Sequence, residues 1–167
     1  MAHTLNYLTE NNLLSYESLS VKAAEASARF HALSAQIKAA EKRMAEIAML
    51  RTHIINYSKT RDVYVAYRKA GYSKKFYEEH TADLLLHKAA KQAFDALASK
   101  KLPTVKALNI EYAELLAAKK KAFTEYTSAR AEMRKVLAVK ANVEKILERD
   151  KNIDTAIIFA ENSLKDL

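Results

Sequence analysis

The chain has 167 residues, enough for one domain or one helical unit, with a single glycine, a single proline and no cysteine. So little punctuation argues against hairpins and sheets, and without cysteine there are neither disulfides nor thiolate metal sites. The net charge of +8 is uneven: residues 51–80 contribute +4 and residues 81–120 contribute +3, while residues 1–50 balance and residues 121–167 add only +1.

In chain order, residues 1–14 read as a polar lead-in with neither the charged start nor the apolar stretch of a secretory signal. Ser15 is a suitable N-cap, with Glu17 in the first turn where the helix dipole favours an anion. Leu19, Ala23, Ala26, Phe30, Leu33, Ile37, Ala40, Met44 and Ile47 then follow in unbroken 4-3 spacing, the seam of a coiled coil. The rhythm slips at Arg51. The pattern predicts a long helix over about 15–57.

A helical insert is expected over about 59–101. Gly71 suits the left-handed C′ position that ends its first helix, and Ser73 caps the next. A break near Thr81 precedes a continuation through Leu84, His87, Ala90 and Phe94. Pro103-Thr104 opens a second long helix, about 104–149, because proline at a first helical position gives up an N–H that would be unpaired anyway. Its stripe runs from Val105 through Leu108, Tyr112, Leu115, Lys119, Ala122, Tyr126, Ala129, Met133, Val136, Lys140 and Val143 to Leu147. Lys119 and Lys140 fit if their stems lie along the seam with the ammonium groups in water. Leu116, Phe123 and Leu137 flank the stripe and widen it. Residues 151–167 are expected to fold back as a short amphipathic helix. The fold class is therefore all-α: an elongated, coiled-coil-like antiparallel hairpin of two long helices with a short insert, forming a single domain over 15–150.

Little in the sequence suggests catalysis. There is no His-x-His or HExxH motif, no phosphate loop and no nucleophile elbow. His80, Asp83 and His87 would share a face on a continuous helix, but without a fourth ligand packing explains them better than a metal does. Glu78 and Glu79 are adjacent and point apart. The expectation is a protein with no catalytic residues, no metal and no cofactor. The longest apolar run, Ala156 to Ala160, is too short for a membrane span, so a cytoplasmic protein is expected and a membrane partner is not.

The basic middle is the feature that composition alone leaves open. Between Arg51 and Lys75 stand seven basic residues and one acid, Asp62. Lys74 and Lys75 occupy a first helical turn, where cations oppose the dipole and where free N–H groups favour an anion. Lys59, Arg61, Arg68, Lys69, Lys74 and Lys75 are thus the candidate nucleic-acid contacts, with phosphates as the expected ligands. The plainer reading is a helix corner with exposed lysines and packed tyrosines. The seam from Leu19 to Ile47 offers an alternative function: a coiled-coil interaction module that docks a partner helix or a second copy.

The blocks HIINYSKTRDVYVAYRKAGYSKKFYEEH, LHKAAKQAFDAL, KKLPTVKAL, EYAELLAAKKKAFTEY and KANVEKIL resemble the C-terminal helical region of bacterial conjugative relaxases, the mobilisation nucleases of transferable elements. The resemblance spans about Ser15 to Asp150. It implies a bacterial accessory domain that aids DNA binding or contacts other conjugative-transfer proteins. The family's tyrosine nucleophile and histidine-bound metal belong to a nuclease domain that has no counterpart among these residues.

Overall fold

A computed structural model describes the chain over residues 2–13, 15–97 and 102–165, with side-chain surroundings over 3–13, 15–97 and 102–153. The helices are α1 (Ala2–Glu10), α2 (Tyr16–Lys69), α3 (Lys74–Glu79), α4 (Thr81–Asp95) and α5 (Val105–Lys165). The all-α expectation holds, with no strand among the described residues, and α2 packs antiparallel against α5. The chain divides into two compact units. The terminal unit is Met1–Gln36 with Ala122–Leu167, and the middle unit is Ile37–Lys121.

In the terminal unit, the stretch expected to be a polar lead-in contains α1. Its apolar residues are few but well placed: Tyr7 is buried, and Leu8 packs against the same cluster as Leu19, Ala23 and Ala26 of α2 and Val136 and Val139 of α5. The end of α1 is fixed by Asn12, whose φ is 53°. The Leu13 N–H reaches the Leu8 carbonyl at 2.9 Å and the Asn12 N–H reaches Thr9 at 3.1 Å, the paired bonds of a Schellman ending. Leu8 and Leu13 bring their side chains to the cluster from the two ends of that motif. Ser15 caps α2 as expected: its Oγ accepts from the Ser18 N–H at 3.1 Å, and Ser18 Oγ lies 3.3 Å from the Ser15 N–H in return.

Every predicted seam position of α2 is buried or half-buried, and all those of α5 are except Leu147. Alanine at 23, 26, 122 and 129 allows the two backbones to approach closely. The rims carry polar bonds. Lys22 and Arg29 reach Glu132 at 3.4 and 3.8 Å, and the Tyr16 hydroxyl donates to Glu144 at 2.5 Å. Lys140 behaves as its stem predicted, half-buried with its ammonium 3.8 Å from Glu144. Phe123 and Leu137 do not widen the buried stripe: they are 57% and 42% exposed. Both lie one position beyond a seam residue, and the stripe that α2 covers is too narrow to include them. The expected fold-back after Asp150 is also absent, since the α5 backbone stays helical through Lys165. Nothing between Val105 and Lys165 breaks a helix, as the one proline and the one glycine both precede it.

In the middle unit α2 runs to Lys69, twelve residues past the expected end near Tyr57. The 4-3 seam slips at Arg51, but Ile54, Tyr57, Thr60, Tyr64 and Tyr67 keep a buried or half-buried face at helical spacing, and no breaker occurs before Gly71. There the chain turns. Gly71 has φ 61°, with its N–H on Arg68 and the Tyr72 N–H on Tyr67, both at 3.1 Å. Ser73 then caps α3 through the Phe76 N–H. His80 separates α3 from α4, close to the expected break. Thr104 caps α5, accepting from the Ala107 N–H at 3.1 Å. Ile47 and Leu108 are fully buried, each worth about 1.5–3 kcal/mol of burial. Arg43 grips Glu111 with two bonds, Nε–Oε1 at 2.6 Å and Nη2–Oε2 at 3.2 Å, and Glu41 meets Lys119 at 2.7 Å. The bonds from Glu111 first, then Glu46, hold the Arg43 guanidinium above its ordinary pKa.

Candidate nucleic-acid interface

The six candidate basic residues are all exposed and all belong to the middle unit, but they do not form one patch. At about 100° per residue, Lys59 and Arg61 lie on opposite flanks of the buried face of α2. Arg61, Val65, Arg68 and Lys69 stand at i, i+4, i+7 and i+8 and share a face; Val65, Arg68 and Lys69 line a shallow open depression there. None of these three basic residues is ion-paired within 4 Å among the described residues, and the same holds for Lys59 and Lys75.

Lys74 and Lys75 form a less favourable anion site than their position suggested. The helix they start, α3, has only six residues, and the Ser73 side chain already takes the Phe76 N–H. Lys74 itself lies 3.8 Å from Glu78 one turn on. The aromatic rings around them cluster, although Tyr72 and Tyr77 stay exposed. Tyr67 sits among Tyr72, Phe76 and Tyr77, with ring centroids 5.2 to 6.0 Å away.

The histidines read as a possible metal face are placed otherwise. His80 stands in the break between helices with its ring 4.4 Å from Phe76. His87 is 3% exposed and lies between Tyr57 and Tyr64, with centroids at 4.4 and 4.3 Å and ring planes within 23° and 14° of parallel. No group of three or more His, Asp or Glu residues able to hold a metal ion occurs among the described residues.

The surroundings of the His87 ring favour one tautomer. The Thr60 hydroxyl lies 2.8 Å from the Asn56 carbonyl, to which it donates its one proton. Its oxygen also lies 3.0 Å from His87 Nδ1, and both contacts are hydrogen bonds together when Nδ1 carries the hydrogen and donates to that oxygen. Burial, and next the nearby Lys91 charge, hold the ring below the ordinary histidine pKa, which favours the neutral form with a bare Nε2. Sequence reasoning placed His87 on the buried face of α4 but missed this arrangement. The available signal was Tyr57, Thr60 and Tyr64 at i, i+3 and i+7, a polar residue centred in an aromatic stripe.

Arg51 marks the place where the seam slips. It is half-buried, and its Nε is shut from solvent with no hydrogen-bond partner.

No family model matches the chain, and no curated protein or solved structure matches it either.

Proposed function

We propose that the middle unit contacts the phosphate backbone of DNA without reading its sequence, and that the chain acts as a non-catalytic helical accessory to DNA transfer. The supporting observation is the division of charge. Residues 37–121 hold eighteen basic and nine acidic side chains, a net +9, whereas the terminal unit holds ten and eleven, a net −1. The face of Arg61, Arg68 and Lys69, exposed and without ion pairs, is its best-defined part. Such a surface attracts a polyanion by counterion release. The resemblance to mobilisation relaxases gives this reading its setting in a bacterial cell, with other transfer proteins as neighbours. Among the described residues, no helix is long and apolar enough to cross a membrane.

Fluorescence anisotropy with a labelled duplex over a salt series tests the proposal. With about four phosphates engaged, log K falls against log salt with a slope near −3 to −4. Reversing Arg61, Arg68 and Lys69 to Glu together removes about three units of that slope. A triple variant that binds with unchanged affinity and slope rules out this face.

Protein–protein contact is the second reading. The α2 seam that suggested it packs on α5 of the same chain, so its support now lies elsewhere. Ile146 and Ile153 are exposed on α5 beyond Glu144, and their i, i+7 spacing places them on one face. Sedimentation of the chain with those two changed to Ser, compared with the unaltered chain, tests for self-association through that face.

A further inference from the structure

A cleft of about 400 Å³ opens within the middle unit beside the His87 sandwich. Tyr64 and Tyr67 of α2, Tyr77 of α3, and His87, Lys88 and Lys91 of α4 line it, with Leu84, Gln92 and Asp95 completing the wall. Its volume falls in the usual range for a small-molecule site, where aromatic walls meet a few convergent polar groups.

The polar groups are of three kinds. Lys88 and Lys91 are exposed cations with no ion pair among the described residues; Asp95, one turn beyond Lys91, does not come within 4 Å of it. Two lysines against one aspartate leave the rim positive. His87 is the second kind: with Nδ1–H committed to Thr60, its other nitrogen is an acceptor with no protein donor among the described residues. A ring nitrogen left open beside a cleft can take a donor from a ligand. The third kind is the phenol rings, whose faces and edges suit a flat partner.

We propose that this cleft binds a small planar heteroaromatic anion of the nucleoside monophosphate type: its ring lies against Tyr67 and Tyr77, a ring N–H donates to His87 Nε2, and its phosphate pairs with Lys88 and Lys91. The three demands select together. An inorganic anion satisfies the lysines alone, and an uncharged aromatic satisfies the tyrosines alone. The site is separate from the Arg61, Arg68 and Lys69 face, so it stands or falls independently of DNA binding.

Titration of the intact chain with GMP, followed by NMR of the His87 ring and the Tyr67 and Tyr77 side chains, tests this. The expected result is saturable shifts at all three residues and an affinity at least about tenfold above that of inorganic phosphate. Two changes should each weaken binding by about tenfold or more: Lys88→Glu with Lys91→Glu on the protein, and methylation of the guanine N1 on the ligand. The ligand-side change leaves the fold untouched, so it separates loss of the His87 bond from any instability of a His87 variant. Three outcomes overturn the proposal: no shifts at millimolar GMP, inorganic phosphate matching GMP, or N1-methylation having no effect. A single-stranded oligonucleotide that shifts these residues when GMP does not also overturns it as a small-molecule site and assigns the cleft to an unpaired base. Duplex binding that persists while the cleft stays silent leaves the proposed function intact and removes only this inference.

Discussion

The two units use the same construction for different ends. Both set a stretch of α2 antiparallel to a stretch of α5, seal the contact with alanine and branched aliphatics, and lace the rims with bonds such as Lys22–Glu132 and Arg43–Glu111. Yet the terminal unit does so at a net charge of −1 and the middle unit at +9. The terminal unit shows that this helix pairing needs no positive excess. The excess in the middle unit opposes compaction through self-repulsion, so its explanation lies outside the fold. The interiors differ as well. Where α1 and the turn after it cover the terminal pair with Tyr7, Leu8 and Leu13, α4 sets a buried histidine against its part of α2 and buries Leu84 and Ala90 on the same helix.

The sharpest way to break the comparison is to empty each core in turn. Leu19→Ala in the terminal unit and Ile47→Ala in the middle unit should each cost about 2–5 kcal/mol, because both side chains are fully buried. Hydrogen exchange should show the loss of protection concentrated in the unit that carries the change. Equal loss in both units after either change would mean that they unfold as one.

Thr60→Val probes what is particular to the middle unit. It keeps the shape of the side chain and leaves the Nδ1–H of His87 without an acceptor, at a cost of about 1–3 kcal/mol in chemical denaturation. A smaller pH effect belongs to the same ring. Its folded pKa is lowered by burial, so as pH falls below about 6.5 the unfolded chain takes up the proton first. This contribution to stability is therefore complete above pH 6.5 and is lost progressively as pH falls toward the folded pKa. Denaturation midpoints of the native chain and His87→Phe across that window measure it, and the native chain should show the steeper decline.

The smallest expected effect runs the other way. Arg51→Leu restores an apolar residue where the seam slips and removes a buried nitrogen without a partner, for a gain of about 1 kcal/mol. A loss on that substitution would show that the Arg51 stem or its outer nitrogens do more for the fold than the seam does.

The sequence made the long-range pairing legible because heptad spacing is a local signal with a global meaning. Nine positions from Leu19 to Ile47 are enough to fix which side of α2 is covered. The caps at Ser15 and Ser73 and the turn at Gly71 were equally readable, since each depends on one residue's own chemistry. Helix ends were harder. After the slip at Arg51 the helix was expected to end near Tyr57, whereas α2 only exchanged one covering partner for another, with Tyr57, Thr60 and Tyr64 now facing α4. The α1 helix was missed because Tyr7 and Leu8 are too few to make a period and gain their meaning only against α2 and α5. Of the candidate basic residues, the sequence identified the charge but not the sharing of faces between Arg61, Arg68 and Lys69. The cleft beside His87 joins residues from three helices, and no spacing in one segment announces it.

The turn after α2 sets a stereochemical condition on this end of the middle unit. Gly71 and Tyr72 are both left-handed, at φ 61°, and only the first is achiral. An ideal methyl group built on Gly71 would meet nothing within 4 Å, so the space is open and the objection to an L-residue is its handedness alone. A D-alanine at 71, placed by chemical ligation, should fit the corner without strain and restrict the unfolded chain, while L-alanine should cost about 1–2 kcal/mol. Tyr72 accepts the unfavourable hand with its ring edge-on to Tyr67 at 5.2 Å. The mirror-image preference of two residues thus decides where the chain leaves α2 and begins α3 and α4, whose residues build the cleft wall.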